Sequence, residues 1–193
     1  MTIQARRERE RAERERLIVT AAMELAESEG WGAVTTRRLA AEVEYSQPVL
    51  YSHFRGKGHI MAAVAVEGCA ELATSLRAAR TGADGARTAL GAVATAYTDF
   101  ARRRPALYDA MFTHAVDLPF ASPEAPAPLH EAFGELRAVV RPLAPDGDDV
   151  GVRTEMYWAC LHGLATLRHS TRLPEKAHAR RLALVVDLFG KHR

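Results

Sequence analysis

The chain has 193 residues, close to half of them apolar and about a quarter charged, which is ordinary usage for a folded protein and excludes a low-complexity or disordered polypeptide. Its net charge is only +2, so overall electrostatics do not identify a nucleic-acid partner, and any such argument must rest on where the charges lie. Two cysteines, Cys69 and Cys160, stand far apart with no metal-ligand spacing, as expected of small reduced side chains. No apolar run suggests a membrane span, and the Arg/Glu-rich start lacks the apolar core of a signal peptide, so a cytoplasmic protein without a membrane partner is expected.

Helical spacing dominates, with no internal repeat and no persistent alternation. A first helix runs from the charged arm to Glu29, with Ile18, Ala21, Ala22 and Leu25 on its inner face and Gly30 as its stop. Thr35 is an N-cap for a short helix through Val43. Ser46 is the next, opening a helix of barely two turns that ends near Phe54. After the break at residues 55–58, a long helix is expected over 59–80. Gly82 and Asp84 precede a helix carrying Leu90, Val93, Tyr97 and Phe100, and Pro105 opens a segment striped with Leu107, Tyr108, Met111 and Phe112. Prolines at 119, 123, 126 and 128 mark a loop before a helix over 129–140. Two more helices follow, over 149–169 and 175–189. The expectation is an all-α chain of about nine helices, a three-helix head over 1–58 and a helical bundle over 59–193.

The head carries the functional signal. Short helices with short turns have the shape of a helix-turn-helix. In the segment from Ser46 to His53, Leu50 and Phe54 can anchor inward, leaving Gln47, Pro48, Val49, Tyr51 and His53 to project elsewhere. An amide can pair with an adenine edge, a small apolar group can meet a thymine methyl, and a phenol or imidazole can reach phosphate. Arg37 and Arg38 sit in the first turn of the preceding helix, where the dipole disfavours cations, unless that end faces a phosphate. Lys57 is a similar phosphate candidate.

The stretch Thr35-Thr36-Arg37-Arg38-Leu39-Ala40, followed by Gln47-Pro48-Val49-Leu50-Tyr51-Ser52-His53-Phe54 and Lys57, resembles the DNA-binding domain of the TetR family of transcriptional regulators. That resemblance implies base contacts from Gln47, Pro48 and Val49, and phosphate contacts from Thr36, Tyr51, His53 and Lys57. Thr35, Arg37, Arg38 and Ser46 complete the DNA-facing set read from the residues. Two positions depart from the family pattern: Glu44 stands where a turn glycine is common, and Arg38 where an acidic residue is frequent. Further on, the run from Arg104 to Phe112 and the run from Trp158 to Leu164 resemble a C-terminal subtype with a Trp-His-Gly signature. Its last two helices would pair with a second subunit.

The residues themselves agree on a partner. The last helix carries an apolar band wider than one core-facing stripe, which places Leu182, Val185, Val186 and Phe189 at a homodimer interface. A small-molecule pocket is expected among Tyr97, Phe100, Tyr108, Met111, Phe112, His114, Trp158 and His162, with Phe133 nearby, since aromatic bulk with a few polar tips suits such sites. The histidines lack a third ligand, so no metal and no cofactor is expected. No catalytic motif of the GxSxG, Walker or HExxH kind is present. The combined reading is a repressor that binds a pseudo-palindromic double-stranded DNA operator as a homodimer and is released by a small-molecule effector. A DNA-binding protein that senses nothing is the alternative.

Overall fold

The computed structural model describes residues 2–114, 118, 119 and 122–190. Among these the chain is helical throughout: α1 Ile3–Glu29, α2 Thr36–Glu42, α3 Gln47–His53, α4 Lys57–Thr81, α5 Ala86–Arg103, α6 Pro105–Asp109, α7 Ala127–Val140, α8 Val150–His169 and α9 His178–Phe189. A π-helical turn, Ala110–His114, continues α6, and short 3₁₀ turns precede α8 and α9 at Arg141–Leu143 and Glu175–Ala177. The all-α expectation and the helix count therefore hold.

The boundaries have local causes. Thr35 Oγ1 accepts from the Arg38 N–H at 3.2 Å, capping α2. Gly30 ends α1 at φ +81°, a backbone region open to glycine but strained for residues with a Cβ. Asp149 Oδ1 caps α8 by accepting from the N–H groups of Gly151 (2.8 Å) and Val152 (3.2 Å). Ser46 occupies the N-cap position of α3 without a side-chain cap bond. Glu44 adopts φ +56° in the turn between α2 and α3, so the position that usually holds glycine has the conformation glycine favours.

Two compact units result: Met1–Gly68 with Ala106–Pro119, and Cys69–Pro105 with Phe120–Arg193. In the first, Ile18, Ala22, Leu39, Leu50, Ile60 and Val64 are sealed from solvent. The segment after Pro105 is fastened to α1. Glu27 accepts from the backbone N–H groups of Ala106 (3.2 Å) and Leu107 (3.1 Å), and the Trp31 indole N–H donates to the Ala106 carbonyl at 2.8 Å. A Cβ at Gly68 would lie 2.8 Å from Met111 Sδ and Leu107 Cδ1, so the absent side chain is what lets this segment seat against α4.

The second unit packs α5, α7, α8 and α9 around Leu90, Val93, Tyr97, Phe100, Leu136, Tyr157 and Leu161. Tyr157, fully buried, donates its hydroxyl to the Leu90 carbonyl at 2.7 Å, so its polar tip is satisfied inside the core. Glu135 of α7, only 7 % exposed, receives Arg77 Nε and Arg80 Nε, each at 2.7 Å. Burial pushes the Glu135 carboxyl up, but the two guanidinium groups outweigh it and hold the acid below its ordinary value. By length and composition alone α4 is long and apolar enough to cross a membrane. Half of its most apolar stretch is buried inside the protein, as in a core helix.

Candidate nucleic-acid interface

The geometry of the head divides α3 into an anchored side and a free side. Leu50 is fully buried and Phe54 nearly so, while Gln47, Pro48, Val49 and Tyr51 are all exposed, Tyr51 by 49 %. Thr36 Oγ1 and Tyr51 Oη lie 3.3 Å apart, joining the start of α2 to the free side of α3 through a pair in which the accepting hydroxyl keeps its own O–H to donate to an anion. Thr35, Ser46 and Arg37 are exposed beside them.

Three candidates are placed differently from the sequence expectation. His53 does not project: its side chain is 7 % exposed and its Nδ1 stands 3.4 Å from Glu15 Oε1 of α1. Its position on the helix put it next to the free residues, but the neighbouring α1 covers it. Arg38 turns back to α1, where Nη1 donates to Glu29 Oε2 at 2.7 Å and Nη2 to Glu29 Oε1, a fork-on-carboxylate pair. That hydrogen bonding lowers the Glu29 carboxyl and raises the Arg38 guanidinium. The cation at the start of α2 is thus balanced by an acid at the end of α1, a compensation between helices that periodicity within one helix does not reveal. Lys57 is half-buried and its Nζ donates to the Trp31 carbonyl at 2.5 Å.

The eight residues expected to hold a small molecule fall in both units. Tyr108, Met111, Phe112 and His114 lie in the first, and Tyr97, Phe100, Trp158 and His162 in the second. Met111 is fully buried against Gly68, whereas His114 is exposed, its ring 6.4 Å from that of Trp31. In the second unit the Trp158 indole donates to Tyr97 Oη at 2.9 Å, Phe133 meets Trp158 edge-on at 6.4 Å, and the His162 ring lies 6.3 Å from Trp158. Burial lowers the His162 imidazole below its ordinary value, favouring the neutral ring. Burial likewise pushes the Cys69 thiol up to about 12 and raises Cys160, so neither is an activated thiolate.

The expected dimer residues also divide. Leu182 and Phe189 belong to the chain's own core, Phe189 against the Tyr157 ring at 5.4 Å and under the Arg153 guanidinium at 5.6 Å. Val185 and Val186 are half-buried. The large aliphatics facing outward on α9 are instead Leu184 (59 % exposed) and Leu188 (66 %), with Val152, Met156 and Leu167 exposed on α8. The apolar band of the last helix was wide enough to contain Leu184 and Leu188, and their i, i+4 spacing marks its outward edge.

Residues 18–64 match the family described as bacterial regulatory proteins, tetR family, and residues 90–189 match the tetracyclin repressor-like C-terminal domain. The chain belongs to the TetR family. An uncharacterized HTH-type transcriptional regulator of Mycobacterium tuberculosis is 30 % identical over 151 residues, which span 78 % of this chain and 67 % of that protein. Two solved structures share the fold. A protein of unknown function from Rhodococcus sp. RHA1 has 24 % identity and a TM-score of 0.73, covering 91 % of this chain and 92 % of that one. BioQ, solved with its double-stranded DNA operator, has 24 % identity and a TM-score of 0.68, covering 92 % and 98 %. This TetR-family protein is therefore a transcriptional regulator with a helix-turn-helix DNA-binding domain, and not an enzyme.

Proposed function

We propose that this regulator is a cytoplasmic repressor that binds a pseudo-palindromic operator as a homodimer and leaves it when a small molecule binds. The observation that carries the reading is the free side of α3: Gln47, Pro48, Val49 and Tyr51 stand out from a helix pinned by Leu50 and Phe54. Gln47, Pro48 and Val49 read base edges, while Tyr51, Thr35, Thr36, Arg37 and Ser46 meet phosphate and sugar. Lys57 and Arg38 serve phosphate only by sharing or exchanging their present partners, and His53 positions the end of α3.

A two-fold assembly supplies two such helices to two half-sites, and the exposed aliphatics of α8 and α9 are the surface suited to form it. The head acts over 1–58 and the sensing part over 59–193, with a C-terminal half of the Trp-His-Gly subtype. The effector lodges against the aromatic cluster of Tyr97, Trp158 and His162 in the second unit, where a phenol, an indole and a neutral imidazole stand among apolar walls. It relieves repression by its differential affinity for two arrangements of the protein, and a tenfold loss of operator binding needs about 1.4 kcal/mol of such coupling.

Selection from a randomised duplex pool tests the DNA-binding reading. Enrichment of one inverted repeat, bound by a dimer on light scattering, is the expected result. Enrichment of no sequence, or binding by a monomer, overturns it.

A further inference from the structure

The N-terminal turns of α1 lie outside the role described so far. Arg7, Arg11 and Arg14 follow one another at i, i+4 and i+7, and the same line continues through Ile18, Ala22 and Leu25. From Ile18 onward that line is buried, packed toward α2 and α3; before it, all three arginines are exposed. One helix stripe thus changes from core to arginine where α1 leaves the head.

The change occurs beside α3. Glu15 Oε1 stands 3.4 Å from His53 Nδ1, at the last residue of α3, and 2.8 Å from Arg11 Nε. The stripe therefore runs past the C-terminal end of the reading helix and continues for residues 3–14, about 18 Å of helix at 1.5 Å per residue. Among the described residues Arg7 and Arg14 have no ion-pair partner within the chain. Glu10 is taken up by Arg6 at 3.4 Å, and Glu8, Glu10 and Glu13 lie to the sides of the arginine line. Arg11 has its Glu15 pair, but an exposed pair of this kind adds little and yields readily to another anion.

We propose that Arg7, Arg11 and Arg14 form a second DNA-binding surface, which grips backbone phosphates of duplex DNA flanking the site read by α3. The guanidinium fork matches phosphate oxygens bidentately, and three forks on one helical line follow a row of phosphates without reading sequence. The surface rests on the assignment of the head as a DNA reader.

The test uses the full chain and a fluorescent random-sequence duplex, titrated by anisotropy across a salt series. The double variant Arg7→Ala/Arg14→Ala is compared with Arg9→Ala/Arg16→Ala, which removes the same charge from the opposite, equally exposed face. Each arginine withdrawn from a phosphate lowers the log–log salt slope by about 0.9 and weakens binding about eightfold at 0.1 M salt. The first variant is expected to lose that slope and the second to keep it. Equal losses in both would reduce the effect to bulk charge and overturn the proposal, as would no loss in the first. Tyr51→Ala separates the two readings: binding that falls with Tyr51→Ala but not with Arg7→Ala/Arg14→Ala retains the reading helix and removes the arm. A folded wild type that binds no duplex overturns both.

Discussion

On α3 the side chains left in solvent are an amide, a proline ring, a valine, a phenol and a serine hydroxyl; on α8 and α9 the large apolar ones are Val152, Met156, Leu167, Leu184 and Leu188, with Glu155, Thr166, His169 and Arg180 exposed around them. Both sets belong to helices whose other side is sealed by large apolar residues, Leu50 in one case and Tyr157, Leu161 and Leu182 in the other. The difference lies in hydrogen-bonding capacity. The α3 set alternates small apolar groups with groups that donate or accept, which suits a wet, charged partner whose edges carry a code. The five large side chains of α8 and α9 have no hydrogen bonds to offer and gain only by excluding water, which suits an apolar patch on a second protein surface, and Glu155 and Arg180 beside them supply the polar rim such an interface carries. An exposed helix face thus indicates its class of partner by whether its residues can replace lost hydrogen bonds.

Salt separates the two faces most widely. If the assembly neutralises about eight phosphates, its affinity for duplex DNA falls with a log–log slope near −7, or roughly 10⁴-fold between 50 and 200 mM salt. Dimerisation through the aliphatics should move little over that range, because apolar burial has no counterions to release. Parallel anisotropy and sedimentation measurements check this, and a strongly salt-sensitive dimer would break the distinction. Next in size is the Leu184→Asp/Leu188→Asp variant. Both positions are exposed in the single chain, so folding should survive, while the proposed interface would have to bury four uncompensated carboxylates. Dimer affinity should drop at least a thousandfold, read as monomers by light scattering with an unchanged helical circular dichroism spectrum.

On the α3 side the effects are smaller and divided by residue type. Gln47→Ala should cost about 1–3 kcal/mol on a selected operator and little on random duplex, whereas Tyr51→Ala should weaken both alike. Equal losses from Gln47→Ala on both duplexes would remove it from base reading.

The buried acid of the second unit supplies a pH-dependent contrast to the apolar side chains exposed on α8 and α9. Glu135 is depressed in the folded protein, so its stabilising contribution is present above the ordinary carboxyl value of 4.5 and is lost as pH falls through the lower folded value. Glu135→Gln should cost about 1–2 kcal/mol at neutral pH and flatten the acid limb of a urea-midpoint profile. A variant with the wild-type acid limb would assign that limb to other carboxylates.

The head was legible in the sequence because its signals are local. Thr35, Gly30 and the Leu50/Phe54 anchors act within a few residues of themselves, and each stands as expected. What escaped depends on neighbours distant in sequence. His53 is covered by a glutamate 38 positions earlier, and Arg38 is held by one nine positions back. In the last helix, spacing showed a broad apolar band but not which edge the chain covers for itself; Tyr157 and Arg153 of α8 take Phe189, leaving Leu184 and Leu188 outside. The π-helical turn at Ala110–His114 left no local mark either.

The smallest expected effect lies in the turn that presents α3. Glu44 is held at φ +56°, where its Cβ crowds the following backbone, a cost of roughly 1–2 kcal/mol for an ordinary residue. The turn keeps this geometry because the Tyr45 N–H reaches the Ala40 carbonyl at 2.8 Å and the Glu44 N–H reaches the Ala41 carbonyl at 3.3 Å, closing α2. Glycine would remove the steric cost but add conformational freedom to the unfolded chain, which offsets part of the gain. The exposed Glu44 side chain has no ion pair among the described residues, so little else is lost. Glu44→Gly should therefore stabilise the protein by about 0.5–1 kcal/mol, seen as a higher urea midpoint at unchanged m. Its effect on operator selectivity should be negligible, because the residues of α3 that face outward keep their anchors. A lower midpoint would mean that the turn is not strained by Glu44, and a change in selectivity would mean that the strain itself sets the angle at which α3 meets DNA.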